Sequence, residues 1–438
     1  MTAEATLSYG VAGRLARRLP FFYGWVIVAI CFLTVFLTGT TSYWGLTVFI
    51  GPMHDDTGWS NGSILTALAV RSLVAASIGL LSGHFADRRQ GPRLLLFFGL
   101  IIDCTSMSLL RLTQSPLGFI LLYGVVGGVG STGTRLLMNT LVPKWFVSRR
   151  GRALSITQTG GSISALIMVP VVAFLIDALG WREAWTVLAA LQAVILLPCV
   201  VLMVRAPEDI GLLPDNGRDP VPGRFARATA ATERSFTLHE AIHTWRPWFL
   251  LLAMFVGTYS LSAHTLVMVP WYKEVGFSSG IAASAMISYG IFSIISRFLW
   301  GHVSERYTTR HAIVFQTLLT AVAALTLLQV SDSRVSLYVI AGMQGLTLSG
   351  FPILQSLVWP EFFGRRHIGS IVGTAQFFVA FANAGAQVAS GIMYDHTGTY
   401  ATPTLVAVGT WIGCALLMMA LRPAREPAIV SVPLGESG

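Results

Sequence analysis

The sequence predicts an all-α membrane protein of twelve transmembrane helices, arranged as two pseudo-symmetric six-helix bundles. Three observations carry this. The 438 residues are 54% hydrophobic and only 11% charged, too few charges for the surface of a soluble protein of that size. Apolar runs long enough to cross the roughly 30 Å of bilayer hydrocarbon recur along the chain, six on each side of one polar stretch. The stretch from Gly58 to Arg88 is also written twice. Gly58-Trp59-Ser60 returns as Gly276-Phe277-Ser278, and Gly83-His84-Phe85-Ala86-Asp87-Arg88 returns as Gly301-His302-Val303-Ser304-Glu305-Arg306, both 218 positions later.

Taken in order, residues 1–20 form a basic tail, and residues 21–204 the first bundle. Its apolar runs lie near 23–50, 60–86, 93–113, 117–143, 153–178 and 184–204. Residues 205–246 break the pattern with Pro207-Glu208-Asp209, Pro214-Asp215-Asn216-Gly217, Pro220 and Pro222, and so read as a linker. Within it Thr237 and Glu240 have capping-box spacing, which predicts a short helix leading to Trp245. The second bundle covers 247–422, with runs near 248–271, 280–304, 311–330, 335–358, 367–393 and 400–421, and 423–438 is a tail. Glycines and prolines recur in mid-span, as close helix approach in lipid requires. The run Gly128-Val129-Gly130-Ser131-Thr132-Gly133 matches a dinucleotide fingerprint by letters, but it follows no strand and lies at lipid depth.

The net charge of +9 is a matter of topology. Of 29 Lys and Arg, 22 fall in the two tails, the linker and the loops on their side, against Arg111, Arg182, Lys273 and Arg334 in the opposite loops. That asymmetry puts both termini and the linker in the cytoplasm and removes any need for a nucleic-acid partner. Cys31, Cys104, Cys199 and Cys414 sit in four different spans with no paired spacing, so neither a disulfide framework nor a metal site is expected. No cofactor is expected either. The first apolar run is of full span length and reads as a retained helix rather than a signal peptide.

The chemistry lies in the charges inside the spans. Arg71, Arg135 and Arg297 fall near mid-span, where each costs about 2.5 to 3.5 kcal/mol on insertion scales. Asp103 is the one acid at similar depth, expected to neutralise Arg135 or Arg71 or to carry a proton. Three arginines against one acid leave the interior positive, which favours an anion, since a guanidinium presents a planar fork to carboxylate oxygens. Tyr289, Ser293 and Arg297 share one helix face by their spacing of four, as do Ser131, Arg135 and Asn139. Gln376, Asn383 and Gln387 form a third polar stripe. His264, in the seventh span, is either a packed, hydrogen-bonded group or a proton relay.

The duplicated Gly-x-x-x-Asp/Glu-Arg loops, Trp145-Phe146-Val147-Ser148-Arg149-Arg150-Gly151-Arg152-Ala153 and Gly180-Trp181-Arg182 together resemble the major facilitator superfamily. Tyr23-Gly24-Trp25, the linker motif from Pro207 to Asp215 and Phe362-Phe363-Gly364-Arg365 resemble its bacterial monocarboxylate and oxalate/formate porter branch. The resemblance covers nearly all of residues 20–422. It implies a secondary transporter that rocks its halves about a central site, with Arg297 at the place where that branch holds the substrate carboxylate. Ser293 stands where proton symporters of the branch often carry aspartate. Residues 367–393 hold no lysine, unlike oxalate exchangers, and the loop Asp87-Arg88-Arg89-Gln90-Gly91 is one residue longer than usual. The acid carried and the coupling ion, a proton or a counter-anion, therefore stay open.

The resulting expectation is a monomeric carrier in a bacterial cytoplasmic membrane, in contact only with lipid and a small organic anion. Substrate would bind at Arg297, Arg135 and Arg71, with Tyr43, Trp44, Asn139, His264, Tyr289, Ser293 and Asn383 around it. Asp87, Arg88, Glu305 and Arg306 would act as conformational latches. The main rival is an exporter of drugs or other hydrophobic solutes, and a transport-inactive sensor is a more distant one. An enzyme finds no support, because no nucleophile with a base, metal cluster or phosphate loop is evident.

Overall fold

The structure, a computed structural model, describes residues 10–41, 45–217, 238–243, 245–331, 333–365 and 367–421; within these the side chains of Thr47, Asn61, Thr134, Arg135, Ala241, Ile242, Ser279 and Ala283 are outside the described set. These residues build helices and turns without a strand. The first half contains α1, split into Gly24–Gly39 and Gly45–Thr57, then α2 (Asn61–Ala86), α3 (Gly91–Leu109), α4 (Gly127–Trp145), α5 (Arg150–Leu179) and α6 (Trp181–Leu202). The second contains α7 (Trp245–Glu274), α8 (Ser279–Arg306), α9 (Thr309–Leu327), α10 (Arg334–Leu348 and Phe351–Phe363), α11 (Ile368–Thr397) and α12 (Ala401–Ala420). Chain enters α4 through Pro116–Phe119 and the π-helical Ile120–Val126. Eleven of the helices, counting these joined segments, are long and apolar enough to cross a membrane, and α1, described over Gly24–Gly39 and Gly45–Thr57, is the twelfth span of the fold. The linker helix spans Leu238–Ile242, with Thr237 outside the described residues.

Local chemistry sets the helix ends. Ser60 Oγ accepts from Ser63 N at 3.2 Å and starts α2. Gly58 and Gly276 open corresponding hairpins at φ +70° and +113°, and Gly180 and Gly398 do so at +82° and +70°. Only glycine takes that backbone region without strain.

The duplication extends from letters to bonds. Asp56, at the end of α1, accepts from Trp181 Nε1 at 3.0 Å and pairs with Arg182 at the start of α6. Its repeat-mate Glu274, at the end of α7, accepts from Tyr400 N at 2.9 Å and from Thr399 Oγ1 at the start of α12. On the opposite face Arg93 donates from Nε to Val200 O at 3.1 Å at the end of α6, and Arg310 donates from Nε to Met418 O at 2.9 Å at the end of α12. Carbonyls at a helix C-terminus lack partners within the helix and carry partial negative charge, so an arginine there serves as both cap and anchor.

The glycine run of α4 is a packing device. A Cβ at Gly127 would come within 2.2 Å of Arg71 Nη1, and one at Gly130 within 2.6 Å of Asp103 N. These absent side chains let α4 close over α2 and α3 and leave room for a charged pair between them.

Candidate functional site

The two halves meet along seams between α2 and α11 and between α5 and α8. Glycines make the contact possible. A Cβ at Gly301 would fall 2.1 Å from Ser155 Oγ and 2.8 Å from Gly151 O, and one at Gly83 would fall 2.6 Å from Gly369 O. Among the described residues, the hydrogen bonds and ion pairs named here between the halves lie on the linker side of Asn139 and Arg297, or at those residues. The protein is thus closed toward its linker.

Each seam ends in a carboxylate at the N-terminus of a helix from the other half. Asp87 accepts from Gly369 N at 3.0 Å and from Ser370 N and Ser370 Oγ at 2.9 Å each, at the start of α11. Glu305 accepts from Arg152 N at 3.0 Å and pairs with Arg152 Nε at 2.8 Å, at the start of α5. Free backbone N–H groups and the helix dipole favour an anion at both places. The acids expected as latches sit at the seams; their neighbouring arginines do not join them. Arg88 is exposed and lies over the Phe85 ring at 4.7 Å, and Arg306 is exposed. The basic partners are Lys144, 2.8 Å from Asp87, and Arg152. Sequence reasoning missed both, although Gly369 and Ser370 stand 218 positions after Gly151 and Arg152 and so mark the two helix starts as equivalent.

The linker reinforces this closure. Arg365, after α10, pairs with Glu208 at 2.7 Å and donates to Lys144 O at 3.0 Å. Arg205 pairs with Asp209 and donates to Asp87 O at 2.9 Å, while Asp215 Oδ2 accepts from Val147 N and Ser148 N at 2.8 and 2.7 Å. The motif from Pro207 to Asp215 is therefore a folded strap across the segments that follow α4 and α10.

Above the α5/α8 seam lies Arg297, nine residues from the end of α8 and so about 14 Å along the helix from its linker end at 1.5 Å per residue. Its Nη1 donates across the halves to the Gln158 carbonyl, and Ser155 Oγ donates to the Arg297 carbonyl at 2.6 Å. Gln158 Nε2 reaches Ser356 Oγ at 3.3 Å, and Ser356 Oγ donates to Asn139 Oδ1 at 3.0 Å. Four helices, α4, α5, α8 and α10, thus join at one polar node. Ser293 accepts from Ser349 Oγ at 2.8 Å, and the Tyr289 hydroxyl faces the same serine. Gln158, Ser349 and Ser356 carried no sequence signal of their own.

Other expected site residues lie elsewhere. Arg71 is buried inside the first half, donating from Nη2 to Asp103 Oδ1 at 2.6 Å and from Nη1 to Tyr123 O at 3.3 Å. Gln192 Nε2 donates to the other Asp103 oxygen at 3.1 Å. Asp103 thus pairs with Arg71, and this corrects the expectation that Arg71 faces substrate. His264 is fully buried within the second half beside Gln344. Asn383 is exposed and accepts from Gln387 Nε2 at 3.1 Å. Tyr43 and Trp44 lie outside the described residues, and of Arg135 only its place in α4 is described.

The sequence profile of the Major Facilitator Superfamily matches residues 31–284 and 250–437. The chain belongs to this superfamily. Among similar proteins, the uncharacterized MFS-type transporter YcxA of Bacillus subtilis is 24% identical over 86% of this chain and 90% of its own length. Human monocarboxylate transporter 12 is 22% identical over 90% of this chain and 80% of its own. The purine ribonucleoside efflux pump NepI of Salmonella enteritidis is 23% identical over 86% and 88%. The fold is that of the proton:xylose symporter XylE (TM-score 0.69, 15% identity, 91% of this chain and 95% of that one). It is likewise that of the human organic anion transporter MFSD10 (TM-score 0.66, 15% identity, 92% and 100%). The superfamily member described here is a multi-pass membrane transporter.

Proposed function

We propose that this transporter carries a small organic anion, of the monocarboxylate class, by alternating access about Arg297. The observation that carries the reading is the state of that arginine. It sits on the seam about a third of the way along its span from the linker end, its side chain meets a neutral main-chain carbonyl, and no carboxylate among the described residues forms an ion pair with it. A guanidinium held there is costly unless a ligand uses it, and a carboxylate is the ligand whose geometry matches its fork. Tyr289 and Ser293 on the same face, with Asn139 across the seam, offer further hydrogen bonds around a bound anion. Relatives named as monocarboxylate transporters add support.

In this reading Asp87 and Glu305 hold the carrier closed to the cytoplasm while the opposite side admits substrate. Lysine at 297 keeps the charge but loses the fork. Arg297→Lys is expected to lower the uptake of radiolabelled lactate, pyruvate or formate into proteoliposomes by at least about tenfold, the factor that 1.4 kcal/mol represents. Normal uptake by a correctly inserted Arg297→Lys protein would remove the site assignment.

A further inference from the structure

On the outer face of the first half a groove opens between the linker end of α2 and the start of α3, with α4 as its floor. It encloses about 520 Å³. Leu81 and Phe85 of α2 and Leu94 and Phe98 of α3 form its walls, and Val129 and Thr132 of α4 lie at the bottom. All four wall residues are exposed, so the groove faces lipid rather than another helix. From Gly91 to Ile102 it follows α3 for about 17 Å at 1.5 Å per residue, roughly the depth of one leaflet of the hydrocarbon core. Its linker end is polar. Arg88 and Gln90 lie there, and among the described residues that line the groove there is no acid. The Arg88 side chain is exposed, with its guanidinium 4.7 Å from the centroid of the Phe85 ring.

The duplicated half shows the same place filled by protein. Gly83 and Gly301 are repeat-mates, so Ser82 corresponds to Trp300. Trp300 is 2% exposed and donates from Nε1 to Leu346 O at 3.3 Å. Its ring lies 6.0 Å from that of Phe315 on α9, and a Cβ at Gly350, between the two segments of α10, would fall 2.2 Å from its Cδ1. One indole thus bridges α8 to α9 and α10. Phe315 follows Arg310 by five residues as Phe98 follows Arg93, so the first half keeps the ring on the third helix and lacks the indole that packs on it. Ser82 instead donates to Gly79 O at 3.5 Å, within its own helix. The groove therefore belongs to this half and is not imposed by the fold.

We propose that the α2/α3 groove binds an anionic glycerophospholipid, one acyl chain lying along α3 in the place that Trp300 fills in the second half and the phosphate at Arg88 and Gln90. Among lipid tails the hydrophobic effect favours no occupant, so selection comes from packing along the walls and from the head group at the end. The arginine fork matches two phosphate oxygens, and the Gln90 amide adds a neutral donor. Basic side chains at the end of a span select anionic head groups in this way. The proposal holds whatever solute the transporter carries.

Native mass spectrometry of the full-length protein in detergent, titrated with phosphatidylglycerol or with phosphatidylcholine of the same chains, tests it. One phosphatidylglycerol should be held at least about tenfold more tightly than phosphatidylcholine. Arg88→Gln should weaken it by about tenfold or more, and Arg306→Gln, which removes the equally exposed repeat-mate, should leave it unchanged. Ser82→Trp, which copies the second half, should exclude it. Equal losses from the two arginine variants would reduce the effect to surface charge and overturn the site, as would undiminished binding to a folded Ser82→Trp protein. Displacement by soluble glycerol phosphate would assign Arg88 to a free anion, and a dimer that Ser82→Trp dissolves would make the groove a contact between copies; either result overturns the lipid. A second measurement needs no substitution. Phosphatidylglycerol carrying a photo-reactive diazirine in mid-chain, reconstituted with the unsubstituted protein, should crosslink to residues 78–102 in clear excess over 296–319, and equal labelling of the two halves would overturn the proposal even if Ser82→Trp failed to fold.

Discussion

Asp103 accepts from Arg71 on one oxygen and Gln192 on the other, so removing its charge strands a guanidinium in the interior of the first half. Breaking one side of such a buried pair costs about 3 to 5 kcal/mol. Asp103→Asn is therefore expected to lower the melting temperature in detergent clearly, and Arg71→Gln added to it should recover part of the loss, while Arg135→Gln should not. Strictly additive effects of Asp103→Asn and Arg71→Gln would contradict the pairing. The burial of these charges was legible in the sequence because each interrupts a long apolar run. Which arginine answers Asp103 was not, since Asp103 stands 32 positions from both Arg71 and Arg135 and belongs to a helix with neighbours on either side. Which of its two expected roles His264 takes was open for a related reason. Helix α7 is apolar around most of its circumference, and sequence alone does not distinguish the face toward the seam from the face toward its own bundle.

Glycine faces, more than side chains, determine how closely α5 approaches α8 and α2 approaches α11. A methyl group at 301 meets Ser155 Oγ at 2.1 Å and backbone oxygen at 2.8 Å, so the closed seam has no room for it. Gly301→Ala should shift the protein toward the linker-open form. Ser155 is fully buried at this seam, and in a background lacking the other cysteines Ser155→Cys should react with a soluble maleimide about tenfold or more faster once Gly301→Ala is added, a shift of some 1.4 kcal/mol in the seam equilibrium. An unchanged rate would mean that α5 and α8 tolerate the methyl group without separating. The helices themselves and the repeated loops were legible, because length, apolarity and the Gly-x-x-x-Asp/Glu-Arg spacing are local signals. The partners of Asp87 and Glu305 were not, because part of their bonding goes to backbone N–H groups of the opposite half, which carry no side-chain signature. The strap from Arg205 to Asp215 escaped for the same reason, since Asp215 acts on the main chain of Val147 and Ser148.

Across the whole molecule, the offset of 218 unites sequence and structure: the ties of α1 to α6 and of α3 to α6 recur as α7 to α12 and α9 to α12, and the seam acids recur as Asp87 and Glu305. The symmetry breaks at the node, where Arg297 has Gly79 as its repeat-mate. The basic residues on the linker side lead us to propose that this side faces the cytoplasm, and single cysteines at Leu213 and Asp55, both exposed, test it. Leu213→Cys is expected to react with an impermeant thiol reagent only in opened cells and Asp55→Cys in intact ones, and the reverse pattern would invert the assignment. The central claim, that the node binds a carboxylate through Arg297, is tested most directly by ligand-dependent melting of the purified protein. A ligand specific for the folded state adds about 2.7 kcal/mol at a hundred times its dissociation constant. Lactate, pyruvate, formate and related short acids should raise the melting temperature, their amides and the corresponding amines should not, and Arg297→Ala should abolish the response. Stabilisation by organic cations, sugars or nucleosides with no response to any carboxylate would contradict it.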